Sequence, residues 1–137
     1  MNPHIYECQV RFSDVDVYGH VNNVKYFEYY QEARIAFILS LAGEGFDADS
    51  SMRQVVARID VDYRRPILFR PEPYLVDTRV TRIGTSSYDL ASRIIDEAGT
   101  VYSKAEVRLV AYEMATGRSR PLTDEERSRL ESVLSLD

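Results

Sequence analysis

From Val24 to about Ala42 the chain is apolar with few interruptions, running through Tyr26, Phe27, Tyr29, Tyr30, Ile35, Phe37, Ile38, Leu39 and Leu41. Polar residues are confined mainly to Lys25, Glu28 and Glu32, a narrow stripe at helical spacing. A helix apolar over most of its circumference is usually enclosed, so the rest of the chain has to cover it. Gly43 and Gly45 are expected to stop it. With 137 residues, residues 1–137 are expected to form one domain around one core.

What surrounds that helix reads as strands. Between His4 and Phe12, Tyr6, Cys8, Val10 and Phe12 alternate with Glu7, Gln9 and Arg11, the period of a half-buried strand ending at Phe12. After an irregular polar stretch from Glu44 to Arg53, Val55, Ala57, Ile59, Val61 and Tyr63 alternate with charged residues up to Arg64-Arg65-Pro66. Leu75 to Ile83, Tyr88 to Ile95 and Val101 to Tyr112 follow, joined at Gly84-Thr85-Ser86 and at Asp96-Glu97-Ala98-Gly99. Thr123-Asp124-Glu125-Glu126 is a capping box that opens a short C-terminal helix. The expected fold class is α+β: a long central helix wrapped by a curved antiparallel sheet of about five strands. Five strands cover only part of such a helix, so a second subunit extending the sheet is expected.

Composition removes several classes of function. A net charge of −5 argues against a general nucleic-acid or anionic-membrane surface. Cys8 is the only cysteine, which excludes an internal disulfide and a cysteine-rich zinc site. No basic start with an apolar run marks a signal peptide, and Arg34 interrupts the longest apolar stretch, so a cytoplasmic protein is expected. Asp14, Asp16 and Gly19 begin like a calcium loop, but Tyr18 and Lys25 occupy positions where that loop needs ligands. No metal and no cofactor is expected. A serine nucleophile elbow, a phosphate-binding glycine loop and a dinucleotide fingerprint are all missing.

Chemistry concentrates just before the long helix. Asp14, Asp16 and His20 lie on a short loop, and Asn22 and Asn23 open the helix. A carboxylate is thereby set near unpaired backbone N–H groups and the positive end of a dipole. Asp16 can attack a carbonyl or activate a water, and equally can be a turn aspartate. Asp14 has the same two readings, while His20 can be a base, a positioning donor or a structural histidine. Asn22 and Asn23 are good caps that still leave N–H groups able to hold a developing oxyanion. Gly19 allows a tight bend and close approach of a ligand. Tyr26 is either core or the edge of a ligand tunnel. Arg64, Arg65, Arg82 and Arg93 are either solvated charge or a clamp for the phosphates of a nucleotide-bearing substrate.

The run from Arg11 to Asn23, with Tyr26-Phe27 and Glu32-Ala33-Arg34, resembles the hotdog-fold acyl-CoA thioesterases. The likeness is to the 4-hydroxybenzoyl-CoA thioesterase-like group, in its branch with His20-Val21-Asn22-Asn23 at the helix start. It continues through Val61 to Pro66, Thr81 to Tyr88 and Arg120-Pro121-Leu122. The resemblance implies a hotdog fold, a homodimer or dimer of dimers, and active sites at the subunit interface. It also implies that Asp16 is catalytic and that the Asn23 N–H polarises the thioester carbonyl. Members acting on aromatic acyl groups often carry aromatic residues at positions 22 and 23, so that substrate preference does not transfer. The expected activity is hydrolysis of an acyl-CoA to a free acid and CoA. Two alternatives stand beside it: a non-catalytic acyl-CoA or acyl-carrier binding module, and an enoyl-thioester hydratase or dehydratase using His20 with Asp16.

Overall fold

Alternating side chains become an antiparallel sheet with one buried and one solvated face. The computed structural model describes residues 3–42 and 53–135. Strand β1 (His4–Cys8) is followed by a 3₁₀ turn (Phe12–Asp14) and helix α1 (Lys25–Ala42). Then come β2 (Gln54–Tyr63), β3 (Tyr74–Ile83), β4 (Ser87–Ile95), β5 (Val101–Glu113), β6 (Arg118–Ser119) and α2 (Asp124–Ser132). The six-stranded sheet has the order β1-β3-β4-β5-β2, with β6 on the end of β5. Every pairing between strands is antiparallel.

The inward row of β5 is the clearest product of period two: Ser103, Ala105, Val107, Leu109 and Ala111 are all buried. Helix α1 lays Tyr26, Tyr29, Tyr30, Ala33, Phe37 and Ile38 on the sheet, one face at helical spacing. Each large side chain buried in this way contributes roughly 1.5–3 kcal/mol. Its N-terminal half packs with Cys8, Val10, Val21, Ile67, Tyr74 and Ile94. The C-terminal half packs with Val80, Tyr88, Leu90, Leu109, Leu122 and Leu130. The capping box of α2 is present: Glu126 N–H donates to Thr123 Oγ1, and Thr123 N–H to Glu126 Oε1.

The structure corrects several expectations. β1 stops at Cys8, and Phe12 is 78% exposed in the 3₁₀ turn. The Arg11 N–H donates to Asp14 Oδ2 (3.1 Å) instead of to a neighbouring strand, which bends the chain away. β2 does not keep one inward row, because its register on β5 shifts between Val56 and Arg58, leaving Val55 and Val56 both exposed. In keeping with the strand count, α1 is covered on one face only, with Phe27 and Leu39 open on the other. β6 is an addition; the turn before it passes through Gly117 at φ +68°, a left-handed conformation suited to glycine. The expected helix stop at Gly43 and Gly45, and the irregular stretch from Glu44 as far as residue 52, fall outside the described residues.

Candidate active site

Between the 3₁₀ turn and α1 the chain makes a small excursion closed by a bridge between Val15 and Val21. Its base is the Asn22 N–H donating to the Asp14 carbonyl (2.8 Å). Residues 67–69 pin it from below: Val21 N–H donates to the Ile67 carbonyl (2.8 Å), and Phe69 N–H to that of Gly19 (3.2 Å). Gly19 turns the tip at φ +76°, and no atom stands within 4 Å of where a Cβ would be. The requirement for glycine there is therefore conformational.

The two aspartates of this loop have opposite surroundings. Asp14 is 1% exposed. Its Oδ2 accepts from the Tyr29 hydroxyl (2.6 Å) and from the Arg11 N–H and Nε, while the Arg11 guanidinium stands 3.0 Å from Oδ1. Burial pushes the Asp14 carboxyl up, but the hydrogen bonds from Tyr29 and Arg11 outweigh it and hold the group below the usual carboxylate range. Burial, together with the Asp14 carboxylate, pushes the Tyr29 hydroxyl up and keeps it a donor. Burial likewise pushes the neighbouring Cys8 thiol up to about 12, so it stays protonated. Asp14 is an anchor between loop and helix.

Asp16 is exposed, and its Oδ1 accepts from the N–H groups of Tyr18 (2.9 Å) and His20 (3.1 Å), an aspartate turn. Its Oδ2 has no hydrogen-bond partner among the described residues. At the helix start the Asn22 carbonyl accepts from Lys25 N–H (2.8 Å), and Asn22 Oδ1 accepts from Val24 N–H (3.1 Å). The Asn23 carbonyl accepts from the Tyr63 hydroxyl (3.0 Å), and the Asn23 N–H donates to nothing among the described residues. Asp16 and Asn23 therefore stand at opposite ends of the Val15–Val21 bridge, whose two hydrogen bonds run from Asn22 N–H to the Asp14 carbonyl (2.8 Å) and from Asp16 N–H to the His20 carbonyl (2.9 Å). One offers a free carboxylate oxygen, the other a free amide.

Of the basic residues, Arg64 and Arg65 lie at this end of the molecule. Both backbone N–H groups donate to the Tyr102 carbonyl (2.9 and 3.0 Å), and both residues are exposed. They lead directly into the Ile67–Leu68 segment under the loop. Arg82 is not part of this grouping. It lies eight residues beyond Tyr74 along β3, about 26 Å at strand spacing. There it pairs with Asp89 (2.9 and 3.2 Å) and donates to Ser87 Oγ. Arg93 is likewise bound to Asp77. Tyr26 follows the core reading of the two open to it: it is buried, its hydroxyl accepts from Ile67 N–H (3.2 Å) and donates to the Arg65 carbonyl (3.4 Å). A pocket of about 220 Å³ lies not beside Asp16 but at the other end of α1, lined among others by Ile38, Leu41, Tyr88, Leu122 and Leu130. Among the described residues no group of three or more His, Cys, Asp or Glu side chains could hold a metal.

Two participants are not visible as such in the sequence. Tyr63 reads only as a strand residue, and nothing local ties it to a helix start forty positions earlier. Tyr29 reads as a core residue with a hydroxyl needing a partner, and that partner is Asp14.

A six-stranded antiparallel sheet carrying the 18-residue helix α1, with a carboxylate-bearing loop before it, defines a small α+β domain. The family model of the thioesterase-like superfamily matches residues 10–130, and the chain belongs to that superfamily. It is 26% identical over 129 residues to the long-chain acyl-CoA thioesterase FadM of Escherichia coli (strain K12), covering 93% of this chain and 97% of that one. Among solved structures it is similar to a thioesterase from Thermus thermophilus complexed with coenzyme A and Zn. That similarity has a TM-score of 0.82 and 32% identity, covering 96% of this chain and 93% of the other. A predicted thioesterase from Bacillus stearothermophilus superposes with a TM-score of 0.86 at 25% identity, covering 97% of each chain. The protein is a thioester hydrolase, which replaces the binding-module alternative. No helix among the described residues is long and apolar enough to cross a membrane.

Proposed function

We propose that this protein hydrolyses an acyl-CoA thioester to a carboxylic acid and CoA. Asp16 acts either as the nucleophile or as the base that takes a proton from water. In the first case its oxygen bonds to the carbonyl carbon and the CoA thiolate leaves, after which water cleaves the anhydride. In the second, the hydroxide adds and the same thiolate is expelled. Either way negative charge develops on the carbonyl oxygen, and the Asn23 N–H is the donor for it. A thiolate is a good leaving group, so no strong general acid is needed. His20 takes part through the backbone N–H that orients Asp16. Gly19 and Asn22 shape the rim of the site, and Arg64 and Arg65 meet the CoA phosphates.

One observation carries this reading: a free carboxylate oxygen and a free amide stand at the two ends of one short bridge, Val15 to Val21, at the entrance to a helix. The acyl-CoA substrate of FadM and the coenzyme A bound by the Thermus thermophilus structure support the choice of thioester. The test is thiol release across short, long and aromatic acyl-CoAs. Asp16→Asn should lower the rate on the order of 10²–10⁴-fold with the fold intact. Near-wild-type turnover by that variant would exclude the mechanism.

The active form is proposed to be a homodimer or dimer of dimers, with α1 as the enclosed centre of a hotdog fold. Phe12, Val17 (93% exposed), Tyr18, Val24, Phe27 and Leu68 form apolar surface around the loop, and β2 is an edge strand with Val55 and Val56 open. A second copy covering these residues would also enclose the outer face of α1. Sedimentation of a monomer at assay concentrations would overturn that assembly.

A further inference from the structure

The first turn of a helix has several N–H groups without helical partners, and any of them can compete for an anion. Here two side chains hold one peptide of that turn. The peptide between Asn23 and Val24 is held at both ends: its carbonyl by the Tyr63 hydroxyl (3.0 Å), its N–H by Asn22 Oδ1 (3.1 Å). The next N–H, that of Lys25, is taken by the Asn22 carbonyl (2.8 Å). The Asn23 N–H, on the peptide before this fixed one, has no partner among the described residues.

Tyr63 is itself well placed to act as a fixed post. It is the last residue of β2, and its ring meets that of Tyr26 edge-on with centroids 4.8 Å apart. Tyr26 is in turn locked by hydrogen bonds to Ile67 and Arg65. Yet Tyr63 is 47% exposed, so it supplies little of the core. A half-exposed tyrosine whose hydroxyl reaches across to a helix entrance gains little packing and is an effective way to fix a carbonyl.

We infer that Tyr63 is a positioning residue for the thioesterase reaction. With the Asn22 side chain, it fixes the 23–24 peptide so that the Asn23 amide points at the developing oxyanion. The inference rests on the acyl-CoA hydrolysis proposed above. An amide that acts only as charge develops should affect turnover more than binding.

The experiment measures steady-state thiol release by Tyr63→Phe, Asn22→Ala, Asn22→Ser and Asp16→Asn, with thermal unfolding of each. Tyr63→Phe keeps the ring against Tyr26 and removes only the hydroxyl. It should lower kcat about 10-fold with KM within about twofold, the scale expected for a donor displaced by a fraction of an ångström. Asn22→Ala should do the same, and Asn22→Ser, which retains an acceptor for Val24, should recover several-fold of the loss. A wild-type kcat in Tyr63→Phe while Asp16→Asn is inactive overturns the positioning role and leaves the hydrolytic reading standing. A rise in KM at unchanged kcat also overturns it, making Tyr63 a substrate contact. Full activity of Asp16→Asn removes the hydrolytic reading and this inference with it.

Discussion

At its N-terminal end α1 adds three bonded tyrosine hydroxyls to its apolar packing; at its C-terminal end its buried side chains pack without them. Tyr29 reaches Asp14, Tyr30 reaches Ser103, and Tyr26 reaches the backbone of residues 65–67. Two turns further on, Phe37 and Ile38 lie among Val80, Leu90, Leu109 and Leu130 with no hydrogen bond of their side chains involved. Apolar packing is non-directional and tolerates small displacements. A buried hydroxyl bonded to a carboxylate is directional, and costly when misplaced. On the proposed mechanism, the end of the helix that holds a carboxylate and an amide in fixed relation is the end with the directional contacts.

The largest effect that separates the two ends is on stability at the apolar one. Phe37→Ala should cost about 3–5 kcal/mol, because it removes a ring from a packed region. Its kcat, measured on folded protein below the lowered melting temperature, should remain that of the parent. If instead kcat falls in step with stability, the two ends are mechanically coupled and the division fails.

A smaller stability effect belongs to the other end, together with a dependence on pH. Tyr29→Phe removes one hydrogen bond from buried Asp14 and should cost roughly 1–3 kcal/mol at neutral pH. Asp14 is held below the usual carboxylate range in the folded protein, so its contribution is present above the unfolded value of about 3.9 and is lost as pH falls through the folded value. Urea midpoints compared at pH 7 and pH 3 should show the parent losing more than Tyr29→Phe across that interval. Equal losses would mean that the hydroxyl does not stabilise the ionised form. Turnover should fall as well, since Asp14 carries the carbonyl that closes the loop.

The strands are legible because a single local rule, alternation, generates them, and β5 follows it without interruption. The same rule overruns the end of β1: Val10 and Phe12 continue the alternation, but the Asp14 carboxylate captures the Arg11 N–H and turns the chain. Asp16, Asn22 and Asn23 can be singled out because loop and helix start are contiguous in the chain. Tyr63 cannot, because its partner is forty residues away and a tyrosine ending a strand carries no signal of its own. That this chain leaves the outer face of α1 partly uncovered follows from counting strands, but which residues stay open does not, because an apolar residue looks alike in sequence whether or not its own chain covers it. Arg82 is a different case: a turn at residues 84–86 sets it opposite Tyr88 by counting, and the observed register, with four residues between Ile83 and Tyr88, sets it opposite Asp89.

The smallest expected effect concerns those arginines. Arg64 and Arg65 lie beside the loop with their guanidinium groups exposed; Arg64 has only a 3.9 Å approach to Asp62. Arg82 is tied to Asp89, which Arg108 also holds, and these arginines keep the Asp89 carboxyl at about 2. An arginine already paired across a hairpin is a poor phosphate ligand, because a new bond has to replace an existing one. Arg65→Ala should therefore raise KM for an acyl-CoA about 3- to 10-fold, and more weakly as salt is added, as expected for an exposed charged contact. Arg82→Ala should leave KM unchanged and shift stability by less than about 1 kcal/mol. Competition by 3′,5′-adenosine bisphosphate separates phosphate contacts from effects on the acyl group. If Arg82→Ala weakens its inhibition and Arg65→Ala does not, the nucleotide lies at the opposite end of β3 from the loop. Asp16 and the phosphate ligands serving it would then have to come from different protomers.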